Sequence, residues 1–324
     1  MIFKPLKLIN AIYCTTIILV CCNPVNKNEN SSQIDSVRKT QINNLFFRYQ
    51  KESQIFVLDN DSDTTIRGME GTILIIPKHS FSIDPEISSA GKIQLELKEY
   101  YKKSEIILSG LSTTSDDKIL ISSGMLYLNA QYEGENIKLA EGKEIDVFFN
   151  DDYSSTDFKG IPFYGEVDST GIINWKKNEN IRLKKEYGQI YSIQNGDTLF
   201  HKTNEERFFG LSKFGWINSD IFYENENTTD LMVLIDSNLK LPNLQLVFKE
   251  INSIISGIHL LDNKFVFTNL PFNQKVSILA FKILEDTMYF GEKDIVITNE
   301  NQVEKVTLKR SNIEEIMARL ERFD

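Results

Sequence analysis

Cysteine and histidine are scarce in this chain, and their scarcity restricts the chemistry that it can perform. All three cysteines lie within the first 22 residues, and only three histidines occur among the 324 residues. Structural zinc sites need several cysteine or histidine ligands at close spacing, and no such spacing is present. The chain after residue 22 also lacks a thiol pair, so apolar burial rather than disulfide bonding must hold it together.

Basic charge is scarce relative to acidic charge. The chain has 36 lysines and arginines against 46 aspartates and glutamates, which gives a formal net charge of −10. Such a surface repels the phosphates of nucleic acids and the headgroups of anionic lipids. We therefore expect no nucleic-acid partner, and we expect membrane attachment to depend on a covalent lipid.

Catalytic motifs are also missing. The sequence has no G-x-S-x-G motif, no S-x-x-K beside a suitable partner and no phosphate-binding glycine loop. The three histidines stand in a loop (His79), a polar linker (His201) and an apolar strand (His259), without the spacing of a metal site. We predict no catalytic residue, no cofactor and no metal site. With 46 acidic residues, a pair of carboxylates from distant parts of the sequence stays open as an alternative.

The N-terminus has the pattern of an export signal. A short basic region precedes the apolar run Leu8–Val20, which is too short to span a bilayer comfortably. The run ends in the residues LVCC, and this ending resembles the bacterial lipoprotein signal. The resemblance implies that residues 1–21 are removed and that Cys22 carries the lipid. It also implies a cell-envelope protein anchored to the outer membrane, on either its periplasmic or its surface face. An ordinary secretory peptide or a short anchor helix is the alternative.

Short alternating segments dominate the rest of the chain. An apolar run at Ile73–Ile76 stops at Pro77, and Ile93, Leu95 and Leu97 then alternate with polar residues. Alternation with a period of two indicates a strand with one buried face, and proline ends a strand because it cannot donate to the ladder. Many such segments separated by turn signals predict a mainly β fold with two antiparallel β-sandwich domains.

Composition divides the chain into segments that follow one another in order. We predict a signal peptide at 1–21, a tether at 22–44, an N-terminal β-sandwich at 45–150, a β-hairpin connection at 151–205 and a C-terminal β-sandwich at 206–324. Ile106–Leu111 is predicted to be a strand. A capping box of Ser311 and Glu314 predicts a short terminal helix. One face of that helix is expected to carry four apolar residues, namely Ile313, Ile316, Met317 and Leu320.

Several segments resemble known families. The segments GTILIIP and GKIQLELKEYY resemble the zona-occludens/netrin-receptor type of β-sandwich module. With FYGE, NW and FGWINSD further on, the chain resembles uncharacterised envelope lipoproteins of Bacteroidetes, and FVFTNLPFN resembles the prealbumin-like (carboxypeptidase regulatory-like) sandwiches. These resemblances imply a non-catalytic structural, adapter or ligand-binding protein with an envelope protein or a glycan as partner. The alternative is an enzyme or carbohydrate-binding module whose site is assembled from distant residues.

An acidic segment matches part of a calcium-binding loop. Asp59, Asp61, Asp63 and Glu70 fall on positions one, three, five and twelve of the EF-hand pattern. Position six requires glycine for a sharp turn, and Thr64 stands there. We therefore interpret the segment as a solvated acidic turn.

The tetrapeptide HSFS at positions 79–82 resembles the self-cleavage site of some animal relatives of the first module. There the cut lies at the far end of the module, whereas here the motif follows Pro77. We expect Phe81 simply to plug the sandwich core, and we expect the chain to stay intact. The aromatic residues around Trp216 could stack on sugar rings, but core packing is the expected role.

Overall fold

The computed structural model of the chain describes residues 49–83, 91–150, 160–167, 172–177, 183–186, 189–194, 197–202, 206–236, 238–239, 241–260, 263–298 and 302–324. These residues form several antiparallel sheets and little helix, which confirms the predicted mainly β fold. The predicted signal peptide, the predicted tether and Cys22 lie outside them. The helices are α1 (Lys103–Leu108), α2 (Ile313–Leu320) and a 3₁₀ turn (Glu321–Phe323). In the described residues, no helix has the length and apolarity needed to cross a membrane.

Sheets I and II form the first sandwich. Sheet I has the order β1 (Gln54–Leu58), β5 (Ile93–Tyr100), β7 (Lys118–Tyr132), β17 (Gly215–Phe222), β11 (Ile161–Val167), β12 (Ile173–Lys177), with β6 (Thr114–Ser115) and β8 (Glu135–Asn136) paired to β7. Sheet II has the order β13 (Leu183–Glu186), β16 (Glu206–Leu211), β10 (Ile145–Phe148), β3 (Ile73–Ile76), β2 (Thr64–Arg67). Two small ribbons consist of β4 (Phe81–Ser82) with β9 (Lys138–Leu139) and β14 (Gln189–Gln194) with β15 (Asp197–Lys202).

The first core lies between these two sheets and follows the predicted alternation. Leu95 and Leu97 of β5 are fully buried, as are Leu74 of β3 and Val147 of β10 on the facing sheet. Glu96, between the two leucines, lies on the opposite face of the strand and is half-buried. Strand β5 therefore turns its apolar side into the sandwich, as predicted.

Strand pairing departs from the predicted division at residue 205. Strands β16 and β17 were expected to open the second sandwich, but they pair with β10 and β7 of the first. The hairpin of β11 and β12 likewise extends sheet I through β17. Alternation identifies a strand and its buried face, whereas the choice of neighbour depends on packing with residues far away in the sequence.

Sheets III and IV form the second sandwich. Sheet III has the order β21 (Ile258–His259), β22 (Lys264–Pro271), β18 (Thr228–Ile235), β25 (Gln302–Val306), and only its β18–β25 pair is parallel. Sheet IV has the order β20 (Ile254–Ser256), β19 (Asn243–Phe248), β23 (Lys275–Leu284), β24 (Thr287–Val296), β26 (Lys309–Ser311). Buried residues such as Phe265 of sheet III and Ile278 of sheet IV fill the core between them.

A further core joins the two sandwiches. The outer face of sheet I contributes Tyr100 and Trp175, the outer face of sheet IV contributes Phe281, and the helices contribute Ile106 and Leu320. The layers therefore follow the order II, I, IV, III, with both helices in the central core between sheets I and IV. Hydrogen bonds cross the junction as well, such as the bond from the Lys103 ammonium to the Phe248 carbonyl at 2.9 Å.

Helix α1 corrects a predicted strand. Ile106–Leu111 was predicted to be a strand, but its first half belongs to α1, in which Ile106 and Ile107 are both fully buried. Neighbouring residues of a strand face opposite sides, whereas a helical turn lets both side chains enter the central core.

Helix α2 is present as predicted, but its cap lies one residue later. The Asn312 side chain accepts the Glu315 amide at 2.8 Å, and the Ser311 hydroxyl donates to the Glu315 carboxylate at 2.8 Å. Ile316 and Leu320 are buried, whereas Met317 is exposed to solvent.

Candidate functional site

The three histidines lie on three different elements. His79 is exposed in the loop after β3 and has a left-handed φ of 59°. Its Nδ1 lies 3.5 Å from the Asp61 carboxylate. His201 belongs to β15, and the His259 ring of β21 packs edge to face with the Phe265 ring, with their centroids 5.1 Å apart. In the described part of the chain, no group of three or more metal-ligating side chains is placed to hold an ion.

The carboxylates of the segment that partly matches a calcium-binding loop each contact a different partner. Asp59 binds the Lys92 ammonium at 2.8 Å, and this hydrogen bond lowers the pKa of the Asp59 carboxyl. Asp63 accepts the Lys78 amide at 2.7 Å, and Glu70 lies beyond strand β2. These contacts tie the turn to neighbouring loops.

Phe81 plugs the first core, as predicted. Its side chain is 4% exposed and stacks on Phe214 with ring centroids 6.1 Å apart. The Ser80 hydroxyl donates to the Pro77 carbonyl at 2.5 Å, and Ser82 pairs with Lys138 in the short ribbon of β4 and β9.

A buried carboxylate, Glu99, organises the turn that follows β2. Its first oxygen accepts the Thr72 amide at 3.0 Å, and its second accepts the Glu70 amide at 3.0 Å and the Gln54 side-chain amide at 2.7 Å. A side chain at Gly68 would place its Cβ 2.4 Å from this carboxylate, so it would have to displace a group that three hydrogen bonds hold in place. Sequence reasoning missed Glu99, although its alternation with the buried leucines of β5 places it on the inner face.

Salt bridges fix the segment that precedes β1 at the junction between the two sandwiches. Lys51 pairs with the carboxylates of Glu70 in the turn and Glu105 in α1, the latter at 2.8 Å. Burial raises the pKa of the Glu70 carboxyl, and the lysine beside it opposes that effect. Two residues earlier, the Tyr49 hydroxyl contacts the Met288 sulfur of sheet IV at 3.6 Å. The approach to β1 is therefore attached to both sandwiches.

A buried polar network also crosses the junction. The Asp220 side chain is fully buried at a bulge in β17, and its carboxyl accepts an N–H of the Asn218 side chain at 2.5 Å. Burial raises the pKa of Asp220 well above its ordinary value. The Ser122 hydroxyl donates to the Asn218 oxygen at 2.8 Å, and Asn252 of the second sandwich donates to the Ser122 carbonyl at 2.8 Å. These contacts hold the layers together.

The first strand of sheet I borders a cleft at the edge of the sheet. A cleft of about 630 Å³ lies between residues 52–56 and 67–69. Three large apolar side chains are exposed here: Ile55 is 54% exposed, Val57 is 65% exposed and Met69 is 88% exposed. Strand β1 pairs with β5 along one side, and among the described residues no strand pairs with its other side. Its outer side therefore presents unpaired backbone next to apolar side chains.

The aromatic cluster around Trp216 packs against its own sheet. The Trp216 ring lies 5.2 Å from that of Tyr127 and 5.6 Å from that of Tyr100, and it is half-buried. This agrees with the expected packing role.

No model of a known protein family matches the chain, and no curated protein matches it either. Conclusions about function therefore depend on the geometry of the strand edges, clefts and buried groups.

Proposed function

We propose that the chain is a non-catalytic adapter of the bacterial cell envelope, anchored to the outer membrane by a lipid on Cys22. Its partner is an envelope protein that adds an extended segment to the open side of β1. The anchoring rests on the signal-like residues Leu19–Cys22. The adapter role rests on the exposed edge of sheet I.

The main support for the adapter role is that strand β1 lacks the features that protect other edge strands from pairing with a partner. Proteins usually protect edge strands with charged residues, proline or very short length. Within the described part of the chain, β1 is the only edge strand of sheets I to IV that exceeds three residues and has no charged side chain. The opposite edge of sheet I, for comparison, is β12 and contains Trp175, Lys176 and Lys177.

An added strand would have contacts on both faces of sheet I. Side chains of an extended segment alternate, so half of them would lie beside Ile55 and Val57 on the outer face. The other half would enter the cleft that Phe56 and Met69 border. The backbone would supply affinity through ladder hydrogen bonds, and the two apolar regions would select the sequence. The net charge of −10 favours a segment that is not acidic.

Buried ionisable groups support a structural rather than a catalytic role. Glu99 is occupied by three N–H donors, Lys51 joins two carboxylates, and Asp220 lies within a network between layers. Each group therefore has a structural contact, while Oδ1 of Asp220 and the Oε2 atoms of Glu70 and Glu105 have no hydrogen-bond partner in the described part of the chain. A catalytic pair would instead face a shared cleft.

Site-specific photocrosslinking in living cells tests the proposal. A photoreactive amino acid at position 57 of the full chain is expected to capture an envelope protein. The control position is Val296, which is also exposed (47%) but lies on β24 of sheet IV, away from β1, where it pairs with Lys275 of β23. Equal capture at positions 57 and 296, or capture at neither, would remove the support for a partner at β1. A companion experiment replaces Cys22 by serine, which should release the chain from the membrane fraction.

A further inference from the structure

The outer face of sheet III carries a row of apolar side chains across all four strands. The register places Ile258, Val266, Met232 and Val303 side by side, in that order. Ile258 is 52% exposed and Val303 is 55% exposed, while the two central residues are half-buried. Contiguous apolar surface that spans a whole sheet commonly marks a contact with another macromolecule.

Opposite charges flank this apolar row. On one side Leu234 lies in register between Lys264 and Lys305. On the other side Asp230 precedes the row on β18, and Glu226 lies in the loop before that strand. Both lysines and both acids are exposed. The face is therefore basic at one end, apolar in the middle and acidic at the other end.

We infer that the outer face of sheet III is a homodimer interface in which two copies pack face to face about a two-fold axis along the apolar row. Rotation about that axis keeps the row in place and exchanges the two ends. Met232 then meets Met232 of the second copy, and Asp230 meets the end that carries Lys264 and Lys305. Closed two-fold interfaces require this self-complementarity, and the charges fix the relative orientation of the copies.

The charge pattern favours a second copy over other occupants. A uniformly acidic or uniformly basic partner would complement only one end of the face. An anionic bilayer would attract Lys264 and Lys305 but repel Asp230 and Glu226. A second copy complements both ends at once. The interface is also separate from β1, so it neither requires nor excludes the adapter function.

Cysteine crosslinking of the full chain in membranes tests the geometry. The chain's own cysteines all lie within the first 22 residues, so the unmodified chain is the blank for each reaction. With a short bis-maleimide, Met232→Cys is expected to give a band at twice the monomer mass, because position 232 faces itself across the axis. Leu234→Cys, which faces the Asp230 end of the other copy, is expected to give about tenfold less.

Reversing the charges at the two ends of the face is the second test of the dimer. Asp230→Lys in the Met232→Cys chain should lower the crosslinked fraction about tenfold, because lysines of the two copies then face each other. Adding Lys264→Glu and Lys305→Glu should restore it, which damage to the fold would not do. No crosslink at position 232, equal crosslinks at 232 and 234, a crosslink to a protein of another mass or failure of the restoration would each overturn the homodimer.

Discussion

Removal of the Glu99 carboxylate should destabilise the first sandwich strongly. In Glu99→Ala, the Thr72 backbone amide loses its acceptor in a fully buried position. The Glu70 backbone amide and the Gln54 side-chain amide lose theirs at partly buried positions. A buried donor without a partner costs about 1–3 kcal/mol. Since two of the three donors can partly recover water contacts, we expect a total loss of about 2–5 kcal/mol, a large share of the roughly 5–15 kcal/mol that stabilises a domain.

The glycine beneath the carboxylate makes the prediction sharper. Gly68→Ala should destabilise the wild-type chain, because the new Cβ would lie 2.4 Å from a carboxylate that three hydrogen bonds hold in place. In the Glu99→Ala background the space is vacated, so Gly68→Ala should cost less. We expect a coupling of about 0.5–3 kcal/mol between the two changes.

Urea denaturation of the two single variants, the double variant and the parent chain measures this coupling. Tryptophan fluorescence is a suitable signal because Trp175 and Trp216 both lie on sheet I. Glu96→Ala serves as the control for removing a carboxylate from the same strand, since Glu96 lies on the opposite face. Strictly additive effects of the Gly68 and Glu99 changes would refute the proposed contact. A Glu99→Ala loss as small as that of Glu96→Ala would refute its structural role.

Three further predictions concern the core, the junction and the anchor. Leu95→Asp should cost several kcal/mol in urea denaturation because it buries an unpaired charge, whereas Glu96→Ala should cost under about 1 kcal/mol, and equal losses would contradict the strand orientation. Burial raises the pKa of Asp220, so the folded chain keeps a proton that the unfolded chain releases above about pH 4. The free energy of unfolding should therefore fall as pH rises above that value. Asp220→Asn should flatten this pH dependence of the free energy of unfolding in urea series recorded from pH 4 upward, and an unchanged slope would contradict a buried acid. Cys22→Ser should move the chain to the soluble fraction in membrane flotation, and continued flotation would contradict lipid anchoring.

Local sequence patterns predicted the parts of the fold that depend on neighbouring residues. The end of β3 at Pro77 and the buried face of β5 around Leu95 follow from properties of the residues themselves. The predicted plug at Phe81 was also confirmed. Such features need only the period of two and the missing N–H of proline.

Features that depend on distant residues could not be predicted in this way. The pairing of β17 with β7 joins Trp216 to Tyr127, and nothing in either segment specifies the other. Ile106 and Ile107 have a strong preference for strands, which the central core overrides by burying both in α1. The alternation of β5 places Glu99 on the inner face, but the donors that bind its carboxylate come from two other segments, β1 and the turn after β2.

Hydrogen–deuterium exchange of the β1 amides tests the central claim, that the open edge of sheet I takes up a partner strand. The full chain is captured from solubilised membranes with its bound partner and compared with the purified chain alone. We expect amides within Gln54–Leu58 to exchange more slowly in the complex, while those of β24 at Thr287–Val296 are unchanged. A partner that binds tightly yet leaves the β1 amides exchanging at the rate of the isolated chain would contradict it.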